Sequence, residues 1–312
     1  MKISVCIVNY NGMRYIDECV RTVLQSLEGL DSEVVLVDNA STDGSGSYIA
    51  EKYPQVKVIF SKENLGYAGG SNLGFKHMTG EYGIILNNDV WVEPDWAKEM
   101  IEYMNRNPAV GVAGCTVKAP YDVWNKGTMG IVGDNIWEAN TAEPFYVAGV
   151  CMAVRREVVR EPFDSDYFLA AEDVYLCWLL RLRGCRIGLA PNVVIHHEAS
   201  HSRSKVPALS AFYGERNKML NFLIFYSLST LLRISPLILL LCLMQRNFRA
   251  YLWLVRNWRL IIDKRKRIQS QRRVGDEDIT KYMSSRLSHH NELLNTLSRW
   301  YLKLVRVKTL ET

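Results

Sequence analysis

No two cysteines stand at C-x-x-C spacing, although the chain has seven. Cys6, Cys19, Cys115, Cys151, Cys177, Cys185 and Cys242 are scattered, several within apolar runs such as Ser4-Val5-Cys6-Ile7-Val8. That excludes a disulfide framework or a cysteine-based zinc site and reads as buried free thiols in a reducing compartment. Neither G-x-G-x-x-G nor G-x-x-x-x-G-K-[ST] occurs, so the familiar glycine-rich phosphate cradles are missing. Low-complexity tracts and internal repeats are missing as well. No signal-peptide pattern precedes the strand-like run that begins at Ile3. The apolar stretch Met219–Met244 is interrupted by Arg233 and Pro236.

What is present is ample core material. Hydrophobic residues make up 48% of 312 residues, enough for about two domains. The net charge of +5 is unevenly placed. From Arg246 onward 16 Lys and Arg face 6 Asp and Glu, so a tail of +10 follows a body of −5. Such a tail fits a polyanionic partner, either nucleic acid or anionic lipid.

The first part of the chain alternates strand and helix patterns. Ile3–Val8, Glu33–Val37, Val56–Phe60 and Tyr82–Leu86 read as buried strands; Met13–Ser26, Gly44–Lys52 and Tyr67–Met78 have helical periodicity. Alternation of this kind predicts an α/β fold with a mostly parallel central sheet. Ligands in such sheets gather at the strands' carboxyl ends. There the chain places Asn9-Tyr10-Asn11-Gly12, Asp38-Asn39-Ala40-Ser41-Thr42-Asp43-Gly44 and Asn87-Asn88-Asp89. Further on, a helix is expected from Glu172 to about Arg183, stopped by Gly184, and two short strands, Arg186–Ala190 and Val193–His196, flank Pro191. Met219–Met244 is expected to form two shorter helices divided at Pro236, and apolar positions between Ile279 and Val305 fit one amphipathic helix.

These segments resemble the family 2 glycosyltransferases with the GT-A fold, within them the rhamnosyltransferase-like group. The resemblance runs from Ile3 to about Phe222. It is carried by the three loops above, by Asn64-Leu65-Gly66-Tyr67-Ala68-Gly69-Gly70-Ser71-Asn72, by Ala171-Glu172-Asp173, and by His196-His197. It implies a catalytic domain over residues 1–212, with a nucleotide-sugar half (1–110) and an acceptor half (111–212), followed by a helical, basic, membrane-associating region (213–312). The implied donor is a dTDP-, UDP- or GDP-linked sugar, possibly of rhamnose. The implied acceptor is a lipid-linked saccharide or a polysaccharide.

The resemblance also implies roles. Asp38 accepts a hydrogen bond from the base and Tyr10 stacks on it. Asn9, Asn11, Asn39, Asn64, Asn72 and Asn88 join them, with Gly69 and Gly70 allowing close approach at the diphosphate. Arg203 and Arg216 clamp phosphate. Asn87-Asn88-Asp89 matches the family's Asp-x-Asp motif with Asn first, which leaves Asp89 as a ligand of Mg²⁺ or Mn²⁺ beside diphosphate oxygens. His197, with His196 second, completes that metal site. Asp173 is the base for an inverting transfer and Glu172 holds the acceptor. The family's further Asp, and the Arg after its Trp, are replaced here by Tyr175 and Leu179.

Two other readings stay open on residues alone. His197-Glu198-Ala199-Ser200-His201 matches the H-E-x-x-H of zinc hydrolases, a motif that works on a helix. Lys264-Arg265-Lys266-Arg267 with Arg272-Arg273 suits nucleic acid, but the apolar stretch next door favours a membrane, so no nucleic acid is expected. The third region is expected to lie on the inner face of a membrane without crossing it, with its helices also able to join two copies of the chain.

Overall fold

The computed structural model describes residues 2–311 apart from 121, 125–126, 130, 132–134, 138–142, 199–205 and 288–290. Its first part runs β1 (Ile3–Asn9), α1 (Ile16–Ser26), β2 (Ser32–Asp38), α2 (Ser45–Lys52), β3 (Lys57–Phe60), α3 (Gly66–His77), β4 (Tyr82–Asn87) and β5 (Val90–Val92). Then follow α4 (Trp96–Arg106), β6 (Val110–Ala119), β7 (Asp122–Trp124), β8 (Gly127–Met129), β9 (Asn135–Trp137), β10 (Cys151–Arg155), α5 (Glu172–Leu182) and β11 (Arg186–His197). Helices close the chain: α6 (Pro207–Phe225), α7 (Leu228–Gln245), α8 (Phe248–Arg256), α9 (Trp258–Gln269), α10 (Asp276–Thr280) and α11 (Glu292–Leu304).

The main sheet has the order β3-β2-β1-β4-β10-β6-β11-β5, with β7 paired to β6. β3, β2, β1 and β4 are parallel, and β10 enters antiparallel between β4 and β6. Alternation along each strand supplies both faces. Val5, Ile7, Val34 and Leu36 pack under α1 and α4, while Cys6, Val8, Val35 and Val37 pack under α3. Helix α3 lies close because Gly74 leaves room for the Cys6 thiol. The seven cysteines are free, and burial pushes the Cys6 thiol up to about 12.

The second core layer joins the C-terminal helices to the sheet. Trp178 of α5 stacks on Phe225 of α6 at 5.1 Å, and Tyr175 meets Tyr167 and Phe225 edge-on. Tyr175 and Leu179 are buried, so an aromatic cluster occupies this face of α5.

Several boundaries differ from the sequence expectations. The two strands around Pro191 are one strand, β11, with a register shift between Leu189 and Val194. The break in Met219–Met244 falls at Tyr226–Ser227, where the Ser227 side chain accepts the Thr230 amide and starts α7, and Pro236 stays inside that helix. Met219–Phe225 therefore belongs to α6, mostly buried against the sheet domain. The pattern over 279–305 is not one helix. α10 ends at Thr280 and α11 starts after Asn291, whose side chain caps it at the Leu294 amide. The basic cluster is partly consumed inside the fold. Lys264 is buried between Asp164 (2.5 Å) and Asp166 (2.8 Å), and Arg265 donates to the carbonyls of Leu223 (2.6 Å) and Tyr226 (2.7 Å).

Candidate active site

Parallel pairing brings Asn9, Asp38 and Asn87 to one end of the sheet. Asn9 is the hub. Its amide donates to Asp38 (3.1 Å) and Ser45 (2.8 Å), and its carbonyl oxygen accepts from Asn88 (2.9 Å). Asn11, at φ 52°, accepts the Thr42 amide at its side-chain oxygen, and its own backbone amide donates to the Ser41 hydroxyl oxygen (3.0 Å). Asn39 donates to Asn64 (3.1 Å) and accepts the Leu65 amide (3.0 Å), so this pair shapes the turn into α3. Asp38 is 5% exposed while Tyr10 is 50% exposed, an aromatic ring beside a recessed carboxylate.

Asp89 lies in the two-residue turn between β4 and β5 and is 5% exposed. Antiparallel pairing of β5 with β11 sets His197 opposite Val90, and His197 Nε2 lies 3.2 Å from Asp89 Oδ1. The neighbouring His196 points to the other face, where it stacks on Trp91 and meets Glu93 at 3.0 Å. His197 is thus the imidazole beside Asp89, and His196 is not. Among the described residues no third carboxylate, imidazole or thiol joins this pair, so a divalent cation held here would need most of its ligands from a bound molecule and water. A cavity of about 220 Å³ adjoins this pair, lined by Arg14, Tyr15, Glu18, Trp91 and Glu198 among others. His197 sits in a strand, not on a helix, so the zinc-hydrolase geometry is not met there. His201 and Arg203 lie outside the described residues.

Glu172 and Asp173 open α5 after a backbone held out of its relaxed range. Phe168, Ala170 and Ala171 have φ of 53°, 72° and 61°. Side chains other than glycine adopt such angles only under constraint. Asn217 supplies it, donating to the carbonyls of Tyr167 (2.9 Å), Leu169 (2.9 Å) and Ala170 (2.7 Å). Asp173 accepts the amides of Gly149 (3.2 Å) and Val174 (2.8 Å). The Tyr67 hydroxyl donates to the Gly149 carbonyl at 2.6 Å. Burial, with Glu172, Cys6 and Asp173 nearby, pushes the Tyr67 phenol well above its ordinary value, so it remains a donor. Gly149 also neighbours Val150, whose carbonyl accepts the Asn87 amide (3.1 Å), and so Asp173 is linked to the strand that delivers Asp89.

Some expected site residues have other duties. Asn72 holds the loop at Phe163, donating to its carbonyl (2.7 Å) and accepting its amide (3.1 Å). Gly70 makes its close approach to Val8 of β1, and Gly69 to Leu65 one turn earlier. Arg216 is buried, donating to Asn217 Oδ1 (2.7 and 2.9 Å) and to the Asp166 carbonyl, with Tyr213 and Trp253 rings 4.6 Å away. Burial lowers its guanidinium below the ordinary value. The sequence reading did not assign Tyr67, Gly149, Asn217 or Asn221. The i,i+4 pair Asn217 and Asn221 within an apolar helix was the available signal, because polar groups in such a stripe need buried partners.

A second cavity, about 470 Å³, lies beside this loop. Ala170, Ala171 and Val174 form one wall; Gly214, Glu215, Lys218 and Asn221 of α6, with Gln245 and Asn247, form the other. Glu215 is held by Lys218 (2.8 Å) and the Tyr251 hydroxyl (3.0 Å).

Comparison with known proteins identifies the family and the fold. The sequence profile described as "Glycosyl transferase family 2" matches residues 4–163. An uncharacterized glycosyltransferase of Haemophilus influenzae is 26% identical over 204 residues, 59% of this chain and 61% of that protein. The N-acetylglucosaminyl-diphospho-decaprenol L-rhamnosyltransferase of Mycobacterium tuberculosis is 26% identical over 212 residues, 56% of this chain and 69% of that one. Among solved structures, a mannosyltransferase from Pyrobaculum calidifontis in complex with GDP-Man and Mn²⁺ superposes with a TM-score of 0.53 at 19% identity, over 85% of this chain and 73% of that one. At that identity the likeness shows a shared fold.

Proposed function

Since the chain belongs to glycosyl transferase family 2 and has the GT-A fold, we propose that it is an inverting transferase moving a sugar from a nucleotide diphosphate to a lipid-linked or polysaccharide acceptor. The observation that carries the reading is the convergence at one sheet end of the Asn9–Asp38–Asn88 network, the Asp89–His197 contact and, through Gly149, Asp173. Recognition of the base falls to Asp38 and Tyr10. A divalent cation, Mg²⁺ or Mn²⁺, held by Asp89 and His197 would neutralise the diphosphate as it leaves. Asp173 takes the acceptor hydroxyl proton as that oxygen attacks the anomeric carbon. Its two amide donors and the Tyr67–Gly149 bond fix the carboxylate, and orientation of the base is itself part of the rate. The acceptor's polar end is assigned to the 470 Å³ cavity, whose Glu215, Lys218, Asn221, Gln245 and Asn247 offer hydrogen bonds suited to a saccharide. Rhamnose as the sugar is supported by the mycobacterial relative's name. Work at the inner face of the cell membrane follows from a lipid-linked acceptor.

The test is a panel of dTDP-, UDP- and GDP-sugars, scored for slow hydrolysis without acceptor. One donor should be hydrolysed in a divalent-cation-dependent way. Asp173→Asn should bind that donor normally and lose transfer by about 10²–10⁴. Transfer within a few-fold of wild type would remove Asp173 from the role.

A further inference from the structure

Most of the chain's exposed large apolar side chains gather after Ser227. On α7, Leu232, Leu239 and Leu243 are each at least 60% exposed, opposite a buried stripe of Thr230, Ile234, Leu237 and Leu241. Phe248 and Val255 of α8 are 68% and 69% exposed. Helix α11 keeps Leu302 in the core but gives the rest of its inner stripe to polar side chains. It buries Asn295, which accepts the Leu287 amide at 2.9 Å, and Ser298, which donates to the Ser285 carbonyl at 2.7 Å. Its Leu297, Trp300 and Leu304 face outward. These helices adjoin: α7 runs into α8 through Arg246, and the Tyr301 hydroxyl of α11 donates to the Arg233 carbonyl of α7 at 2.8 Å. A water-facing helix normally hides its apolar stripe, so large exposed apolar faces mark a surface that meets another apolar phase.

We infer that α7, α8 and α11 form a platform that lies in the surface of an anionic lipid bilayer without crossing it. The charge decides the occupant. Between Leu228 and Ile262 there are five arginines, Arg233, Arg246, Arg249, Arg256 and Arg259, and no acidic residue. All five are exposed, and among the described residues none has an acidic partner. A cationic fringe around an apolar face is complementary to anionic headgroups, whereas two copies of this face would oppose arginine to arginine. Geometry argues against a span. α7 has 18 residues and only 22% of it is buried, but that buried stripe packs on the protein body and would have to leave it for the helix to cross. Trp258 and Trp300 suit the headgroup level. The 470 Å³ cavity has Gln245 and Asn247 in its wall, at the α7–α8 junction. Docking sets that wall beside the bilayer, where the polar head of a lipid-linked acceptor reaches the loop before Asp173. This last consequence rests on the proposed function, while the docking does not.

The experiment is co-sedimentation of the purified full chain with phosphatidylcholine vesicles, with and without one-third phosphatidylglycerol, and no sugar nucleotide present. Binding is expected to the anionic vesicles and to be at least tenfold weaker to the neutral ones. The pair Leu243→Ser and Phe248→Ser, and separately Arg249→Glu with Arg256→Glu, should each weaken it at least tenfold. Thermal stability should be unchanged, since these side chains are exposed. Three results would overturn the platform: no vesicle binding; a dimer by sedimentation equilibrium that the same serine substitutions dissociate; or carbonate-resistant insertion with the tail protease-accessible only from the far side. Hydrolysis of the donor, measured apart, tells a failed platform from a failed transferase reading.

Discussion

Replacing Asn217 by alanine tests how the fold holds the proposed base, Asp173. The side chain is fully buried, and its two N–H groups serve three carbonyls, those of Tyr167, Leu169 and Ala170. Its oxygen also accepts from the Arg216 guanidinium. Losing the two neutral donors costs about 1–1.5 kcal/mol each, and losing the acceptor of a charged donor roughly 1.5–3 kcal/mol. Against this, Phe168, Ala170 and Ala171 at positive φ store about 1–2 kcal/mol apiece, and a loop let go recovers some of it. The net loss is then about 2–4 kcal/mol. For a chain of this size that is a fall in Tm of roughly 3–6 °C by calorimetry. The effect on transfer should be larger than the effect on stability. A relaxed loop moves Glu172 and Asp173, and a misplacement of about 1 Å can cost 10²-fold. Donor affinity, which the proposed function assigns to Asn9, Asp38 and Asp89, should stay within a few-fold. Asn217→Asp keeps an oxygen for Arg216 but offers no donor, so it should also lose transfer. A Tm within about 1 °C of wild type for Asn217→Ala, or wild-type turnover for Asn217→Asp, refutes the idea that these carbonyl bonds hold the loop.

Asp89→Ala should abolish the divalent-cation dependence of donor binding in titration calorimetry, and cation-dependent binding that survives it would place the metal elsewhere. Gly214→Phe should project into the 470 Å³ cavity that Gly214 lines, because a Cβ there meets nothing within 4 Å. Helix stability should hold or rise slightly, while KM for the acceptor increases; an unchanged KM would mean the acceptor binds elsewhere. For Glu33, burial raises the carboxyl, but hydrogen bonds from Ser4 and Thr79 and the charge of Lys2 outweigh it and bring it from 4.5 to about 2. A depressed carboxyl stabilises the fold above its unfolded value and loses that contribution as pH falls through the folded one. Denaturant melts of wild type and Glu33→Gln should therefore differ at neutral pH and converge as pH falls from about 4.5 toward 2; a gap that is constant with pH would count against this linkage.

The strands and helices of residues 3–87 were legible in the sequence to within a few residues, because apolar period and strand-end Asn and Asp clusters are local signals. So was the grouping of Asn9, Asp38 and Asn88, since parallel pairing sends those ends to one edge. Other features depend on contacts far apart in the chain and have no local signature. Lys264 looked like free charge but neutralises Asp164, 100 residues away. Arg216 looked like a phosphate clamp but is stacked between Tyr213 and Trp253. The same holds for Tyr67, whose hydroxyl steadies Gly149 behind Asp173. Helical period could say that α11 is amphipathic, but not which stripe faces in. That was decided by Leu287 and Ser285, whose backbone groups needed partners and drew Asn295 and Ser298 inward. Buried polar groups must be satisfied before apolar ones are covered, and here the cost of leaving them unpaired outweighs the exposure of Leu297, Trp300 and Leu304.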